Sequence, residues 1–299
     1  MLTGVSLVVG LMTAPGASAA PTFVAAGSVN QVYVTGAAPS AQMSLIGPGG
    51  QTVATQNADS LGGILFRNVA AGAGYQVRND TDGSESPAVT VHSDSPAPWD
   101  PEIYNQPIPS NGYTYLTTRD GTQLAIDVHP PTSPAGEPGL PAGTPLPSGP
   151  DYLPPYPTLI EYSGYGYADP AGPVSGIAVL ANLMGFAVVD VNMRGTGCSA
   201  GAFDFFEPLQ SLDGYDVIET IAHQPWVRDH KVGMMGISYG GISQLFTAQL
   251  DPPDLEAISP LSVLDATATT LYPGGVLNTG TLILFTNVTG SSASATAAS

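Results

Sequence analysis

Apolar and polar positions follow one rhythm before residue 95 and another after residue 157. In the first stretch they alternate in short runs: Val32-Tyr33-Val34, Met43-Ser44-Leu45, Ile64-Leu65-Phe66, Tyr75-Gln76-Val77 and Val89-Thr90-Val91. Turn signals separate the runs at Gly47-Pro48-Gly49-Gly50, Gly62-Gly63, Gly72-Ala73-Gly74 and Asp82-Gly83. Short strands at intervals of roughly ten residues predict a small all-β sandwich of immunoglobulin or fibronectin type over residues 21–95. No catalytic constellation falls in it, so it reads as an accessory or spacer module, or a surface-binding one. Residues 96–111 hold five prolines and read as a linker. Residues 113–118 and 124–128 flank Arg119-Asp120-Gly121 and predict a β-hairpin. Residues 130–157 are dominated by Pro and Gly and predict an extended surface loop.

Continuous apolar strands then alternate with helical patterns. Strands are predicted at 158–162, 187–191, 231–236 and 255–258, and helices at 174–184, 213–223 and 242–250. Such alternation means a parallel sheet covered by helices on both faces. The fold class is therefore α/β, preceded by the all-β domain.

Composition narrows the partners. Of 299 residues, 24 are acidic and 6 are Lys or Arg, giving a formal charge of −18. The six cations are scattered, which excludes nucleic acid and anionic membranes as partners. The single cysteine, Cys198, forms no intrachain disulfide and anchors no Cys/His metal site; it reads as a small packed residue near a loop. No cofactor or metal is expected. Residues 1–20 read as a signal peptide, with an apolar run at 5–12 and Ala17-Ser18-Ala19 before a cleavage point. That run is too short for an integral membrane span. The chain is expected to be secreted or associated with the cell envelope.

The chemistry centres on Gly236-Ile237-Ser238-Tyr239-Gly240. A serine hydroxyl is a poor nucleophile unless it is exposed, oriented and paired with a base. A G-x-S-x-G turn between a strand and a helix supplies exposure and orientation. Gly236 and Gly240 are expected there because a side chain would strike a neighbouring element. Ser238 is the candidate nucleophile, and the Tyr239 N–H, at a helix N-terminus, is a candidate oxyanion donor. Asp190 and Arg194 read as braces of the loop after their strand, and Asp213 and Asp216 as caps of a helix N-terminus.

These segments resemble the Xaa-Pro dipeptidyl-peptidase and cocaine-esterase (CocE/NonD) hydrolases. The elbow Gly233-Met234-Met235-Gly236-Ile237-Ser238-Tyr239-Gly240-Gly241 is similar to theirs. So are the loop from Asn192 to Gly201, Asp213-Gly214-Tyr215-Asp216 followed by Gln224-Pro225-Trp226, and Asp251-Pro252-Pro253-Asp254-Leu255-Glu256-Ala257-Ile258. The resemblance spans roughly residues 113–280 and implies an α/β-hydrolase catalytic domain over 112–280. It implies a peptide or small acyl substrate, with peptidase and esterase both open. It also implies that a tyrosine in Tyr162-Ser163-Gly164-Tyr165-Gly166 joins the oxyanion hole. Tyr165 matches that position, with Tyr162 and Tyr167 as rivals.

In this fold the acid and the histidine follow the serine. His92, His129, His223 and His230 all precede Ser238. His223 reads as the end of a helix and His230 as part of the loop before the elbow strand. Asp265 is the best downstream carboxylate, although the family's acid lies further on, beyond a helical cap. From Thr281 the family texture stops and residues 291–299 are only Ser, Ala and Thr. The expectation is a frameshift or fragmented gene near Gly280, an aberrant tail at 281–299, a partial catalytic domain, an unprotected sheet edge and marginal solubility. The alternative function is a catalytically incomplete fragment or a non-catalytic surface-binding protein.

Overall fold

The computed structural model describes residues 21–131, 152–204, 206–264 and 267–280. The expected signal peptide, most of the Pro/Gly loop, Asp265 and the 281–299 tail lie outside the described residues. The chain divides into two compact units after Val91.

The first unit contains β1 (Val24–Ser28), β2 (Gln31–Thr35), β3 (Gln42–Ile46), β4 (Thr52–Asn57), β5 (Ile64–Arg67), β6 (Gly72–Asn79) and β7 (Val89–Val91). They form two antiparallel sheets, ordered β1-β2-β5 and β4-β3-β6-β7. Val32, Val34, Met43, Leu45, Phe66 and Val77 fill the core at one-residue alternation. Ser44 is also buried, and its hydroxyl is satisfied by Thr55 and Asp80. The sequence pattern did not predict β4, whose Thr-Val-Ala-Thr-Gln-Asn lies at a sheet edge with most residues exposed.

The second unit is built on β8 (Gly112–Thr117), β9 (Gln123–His129), β10 (Tyr156–Ser163), β11 (Ala187–Asn192), β12 (Val227–Ile237) and β13 (Leu255–Leu261). Its sheet order is β13-β12-β10-β11-β9-β8. The four strands β10 to β13 are parallel, while the β8–β9 hairpin joins antiparallel to β11. The sheet is therefore mixed; the tight turn between β8 and β9 makes that pair antiparallel. Helices α1 (Gly176–Leu183), α2 (Pro208–Ala222), α3 (Tyr239–Ala248) and α4 (Thr267–Leu271) connect or follow the strands. Strand alternation sends Val188 toward Ala178 and Ala181 of α1 on one face. It sends Val189, Val191, Ile160 and Met234 toward Val217, Ile218 and Ile221 of α2 on the other. Each such aliphatic side chain contributes about 1.5–3 kcal/mol on burial.

Several sequence expectations change here. Helix α2 starts at Pro208, which occupies the first helical turn where its missing N–H costs nothing. Asp213 and Asp216 are therefore mid-helix residues, fully buried, and not N-terminal caps. Each holds an arginine. Arg194 donates Nε and Nη2 to Asp213 at 2.6 Å each, and Nη1 to Asp120 Oδ2 at 3.0 Å. Arg119 donates Nη2 to Asp216 Oδ1 at 2.8 Å and Nε to Oδ2 at 3.0 Å. Arg194 is thus an anchor of its loop, as expected. Asp190 does not brace the loop; it lies within β11, facing His129 on β9. His230 lies inside β12. Cys198 is exposed, because it sits at the tip of the loop after β11.

Residues 96–111 carry a turn of 3-10 helix at Pro101–Asn105. Its buried Tyr104 donates to Asp216 Oδ1 at 2.9 Å. Trp226 Nε1 donates to the Ile108 carbonyl at 2.9 Å, and Gln224 Oε1 accepts from the Ile108 N–H. This proline-rich segment is bound along the second unit by its own hydrogen bonds.

Candidate active site

Strand β12 ends at Ile237 and α3 begins at Tyr239, leaving Ser238 alone at the corner. Its backbone is forced to φ 58 and ψ −111. That left-handed conformation is strained for a residue with a side chain and marks sites where a group must be presented. The corner is locked on both sides. The Ser238 N–H donates to the Leu261 carbonyl at 2.9 Å, and the Ser238 carbonyl accepts from Gly241 and Ile242 N–H at 3.0 and 2.8 Å.

The glycines act unequally. A Cβ on Gly236 would lie 2.7 Å from the Gly240 backbone, and one on Gly241 would strike the Leu261 carbonyl oxygen. One on Gly240 would meet nothing nearer than Ser163 Cβ at 3.4 Å, an ordinary contact. Gly236 and Gly241 are therefore the positions that steric contact reserves for glycine, rather than Gly236 and Gly240.

Strand β10 neighbours β12, so the loop after Ser163 emerges beside the elbow. There the Tyr239 N–H donates to the Tyr165 hydroxyl oxygen at 3.2 Å. The Tyr239 ring lies over Gly164, where any Cβ would strike it. The rings of Phe206, Tyr165 and Phe203 meet it edge-on with centroids 5.0, 6.1 and 6.5 Å away. Burial pushes the Tyr239 phenol well above its usual pKa. Of the rivals, Tyr162 is fully buried and donates to the Gln210 carbonyl at 2.8 Å, under α2. Tyr167 is half-buried, with its ring 5.8 Å from that of Tyr165. Of the three phenols, Tyr165 alone is hydrogen-bonded to the Tyr239 N–H.

The loop after β11 holds the Tyr165 loop in place. Asn192 accepts from the Ala168 N–H at 3.0 Å and donates to its carbonyl at 2.9 Å. The Asn192 carbonyl accepts from Ser199 Oγ at 2.7 Å, and that Oγ accepts from the Ala125 N–H at 2.8 Å. Arg194 ties the same loop to α2. The Gly/Ser/Arg-rich segment thus positions the site without entering it.

No histidine is hydrogen-bonded to Ser238 among the described residues. His92 stacks on Trp99 at 3.5 Å. His223 lies 3.6 Å from Asp254, and His230 Nδ1 is 2.9 Å from the Ala222 carbonyl. His129 is paired across the sheet with Val188, near the start of β11, whereas Ser238 follows the end of β12. Its Nε2 lies 3.2 Å from Asp190.

Beside His129 runs a row of carboxylates of which the sequence singles out only Asp190. Asp127, Asp190 and Glu161 are register partners on β9, β11 and β10. Burial first, and then the charge of Asp190, push the Glu161 carboxyl up to about 8. Ser175, the N-cap of α1, donates to Glu161 Oε2 at 2.9 Å. Burial lowers the pKa of His129, but Asp190 and Asp127 more than offset this and leave it raised. The available signal was an acidic residue inside each of three apolar strand runs.

Residues 120–298 match the X-Pro dipeptidyl-peptidase (S15) family. The match runs past Gly280, where the motif resemblance was placed to end. A Mycobacterium bovis protein provisionally named serine esterase Mb1866c is 29% identical over 170 residues, covering 54% of this chain and 26% of its own length. The Mycobacterium tuberculosis protein MT1883, named in the same way, gives the same figures. This chain thus spans about a quarter of the length of the curated relatives it matches. Among solved structures, a CocE/NonD family hydrolase from Staphylococcus aureus is 23% identical with a TM-score of 0.42, covering 53% of this chain and 28% of that one. Acetyl xylan esterase 1 from Thermoanaerobacterium sp. JW/SL YS485 is 18% identical with a TM-score of 0.40, covering 66% of each chain.

Proposed function

We propose that this chain, which belongs to the X-Pro dipeptidyl-peptidase (S15) family of α/β-hydrolases, carries the nucleophile and oxyanion hole of an acyl-transfer site. Ser238 Oγ attacks the carbonyl carbon of an acyl ester, an amide or an Xaa-Pro peptide. As the tetrahedral intermediate forms, its oxygen takes up the negative charge. The Tyr239 N–H exchanges its bond to Tyr165 Oη for one to that oxygen, the Tyr165 O–H donates to it as well, and the N-terminus of α3 adds a favourable dipole. The alcohol or amine then departs, leaving an acyl group on Ser238 that water removes. The proton of Ser238 passes to a base and on to the leaving group.

The observation that carries this reading is the 3.2 Å approach of Tyr165 Oη to the Tyr239 nitrogen, next to a serine held at φ 58. The esterase names of the mycobacterial relatives make simple acyl esters the first substrates to try. The leader-like residues 1–20 support an exported location as part of the same reading. A second reading, a chain that binds without turnover, is favoured by the placement of the four histidines. Labelling with a fluorophosphonate probe separates the two. Labelling that disappears in Ser238→Ala supports the enzyme; folded, soluble chain that stays unlabelled supports the second reading.

A further inference from the structure

Three metal-ligating side chains converge at the end of the sheet opposite Ser238. Glu219 and His223 are four residues apart on α2, a spacing that puts both on one helix face. Asp254 stands immediately before β13. One ligand atom from each of the three lies within 4.8 Å of the other two. His223 Nε2 is 3.6 Å from Asp254 Oδ2, and Glu219 Oε1 accepts from the Asp254 N–H at 3.2 Å.

Glu219 is only 6% exposed. The Asp254 N–H is the one donor to its carboxylate among the described residues, so its second oxygen has no hydrogen-bond partner there. Lys231 does not close the site either. Its Nζ binds Asp254 Oδ1 at 3.0 Å, while Oδ2 is the oxygen nearer His223.

We propose that Glu219, His223 and Asp254 form a binding site for a divalent transition-metal cation of the Zn2+ class, fastening the C-terminal end of α2 to the start of β13. One imidazole and two carboxylates are a ligand set that zinc accepts, at about 2.0–2.2 Å from each atom. Magnesium prefers octahedral oxygen coordination and fits an imidazole less well. The three groups must draw together from their present spacing. The His223 side chain, 43% exposed, has the freedom to do so. A fourth position is left on the solvent side. Strand β12 separates this site from the elbow, so its role is to stabilise the domain and not to assist Ser238.

Calorimetric titration of the full chain with zinc chloride tests the proposal, with thermal unfolding as a second readout. One saturable equivalent and a raised Tm are expected. Glu219→Gln and His223→Gln should each weaken binding by more than about tenfold, since changing even outer partners of a metal site costs that much. Lys231→Met should tighten binding by removing a competing positive charge beside Asp254, and His92→Gln should leave it unchanged. His223 is partly exposed, so His223→Gln keeps the test alive if Glu219→Gln disturbs folding. Absence of saturable binding, or wild-type affinity in His223→Gln, would overturn the proposal. Neither result bears on labelling at Ser238.

Discussion

Tyr165 Oη lies 3.2 Å from the backbone nitrogen of Tyr239, although 74 positions separate the two residues in the chain. They meet because β10 and β12 are neighbours and both end at the same edge of the sheet. The Tyr239 N–H, at the start of a helix, and the Tyr165 hydroxyl are thereby brought together next to Ser238.

Replacing Tyr165 with Phe removes one donor and keeps the ring. The rate of adduct formation with a fluorophosphonate should fall by about 10²–10³-fold, the usual loss for one oxyanion donor. The urea midpoint should hardly move, because among the described residues this hydroxyl bonds only to the Tyr239 N–H. An unchanged labelling rate in Tyr165→Phe would remove it from the oxyanion hole.

The elbow glycines should separate by sterics. Gly241→Ala drives a methyl into the Leu261 carbonyl, and Gly236→Ala places one 2.7 Å from the Gly240 backbone. Each should cost about 1–3 kcal/mol in chemical denaturation. Gly240→Ala should cost less than either, since its methyl would find ordinary contact distance. Equal losses at all three positions would contradict this ranking.

Arg194 is 4% exposed and shared by Asp213 and Asp120. Asp213→Ala leaves most of a buried charge uncompensated and should destabilise the second unit by about 3–5 kcal/mol. The retained contact with Asp120 favours the lower end. The probe should also react more slowly with this variant, because the loop that holds Asn192 and the Tyr165 segment loses its anchor to α2.

Glu161 makes stability depend on pH. Its folded-state pKa, pushed up to about 8, exceeds the unfolded value of 4.5. Between those values the folded chain binds more protons than the unfolded chain, so stability falls as pH rises through that window. The raised His129 acts in the same direction above 6.5, and Glu219, pushed up to about 7, does so from 4.5. Glu161→Gln retains an acceptor for Ser175 Oγ and carries no titrating proton. Urea midpoints at pH 5 and pH 8 should differ less in this variant than in wild type.

What the sequence showed well were features carried by contiguous residues. The apolar runs of β10, β11, β12 and β13, the elbow and the helix after it are each local patterns. The ion pairs were not legible, because Asp216 and Arg119 are 97 positions apart. Without those partners, acids near a helix start read as caps. Pro208 was the available signal that α2 begins earlier. Strand β4 was missed because an edge strand with exposed polar residues lacks the alternation that marks a buried one. Gly241 was missed for a related reason: its constraint comes from Leu261 on β13, not from the turn itself.

The central claim is that Ser238 is the reactive group, and locating a covalent adduct tests it most directly. The folded chain would be incubated with a fluorophosphonate, digested, and its peptides sequenced by tandem mass spectrometry. One adduct is expected, on the Ser238 side chain, formed more slowly in Tyr165→Phe and absent in Ser238→Ala. A folded chain with no adduct, or with its adduct on another residue, would contradict the assignment of Ser238 as nucleophile.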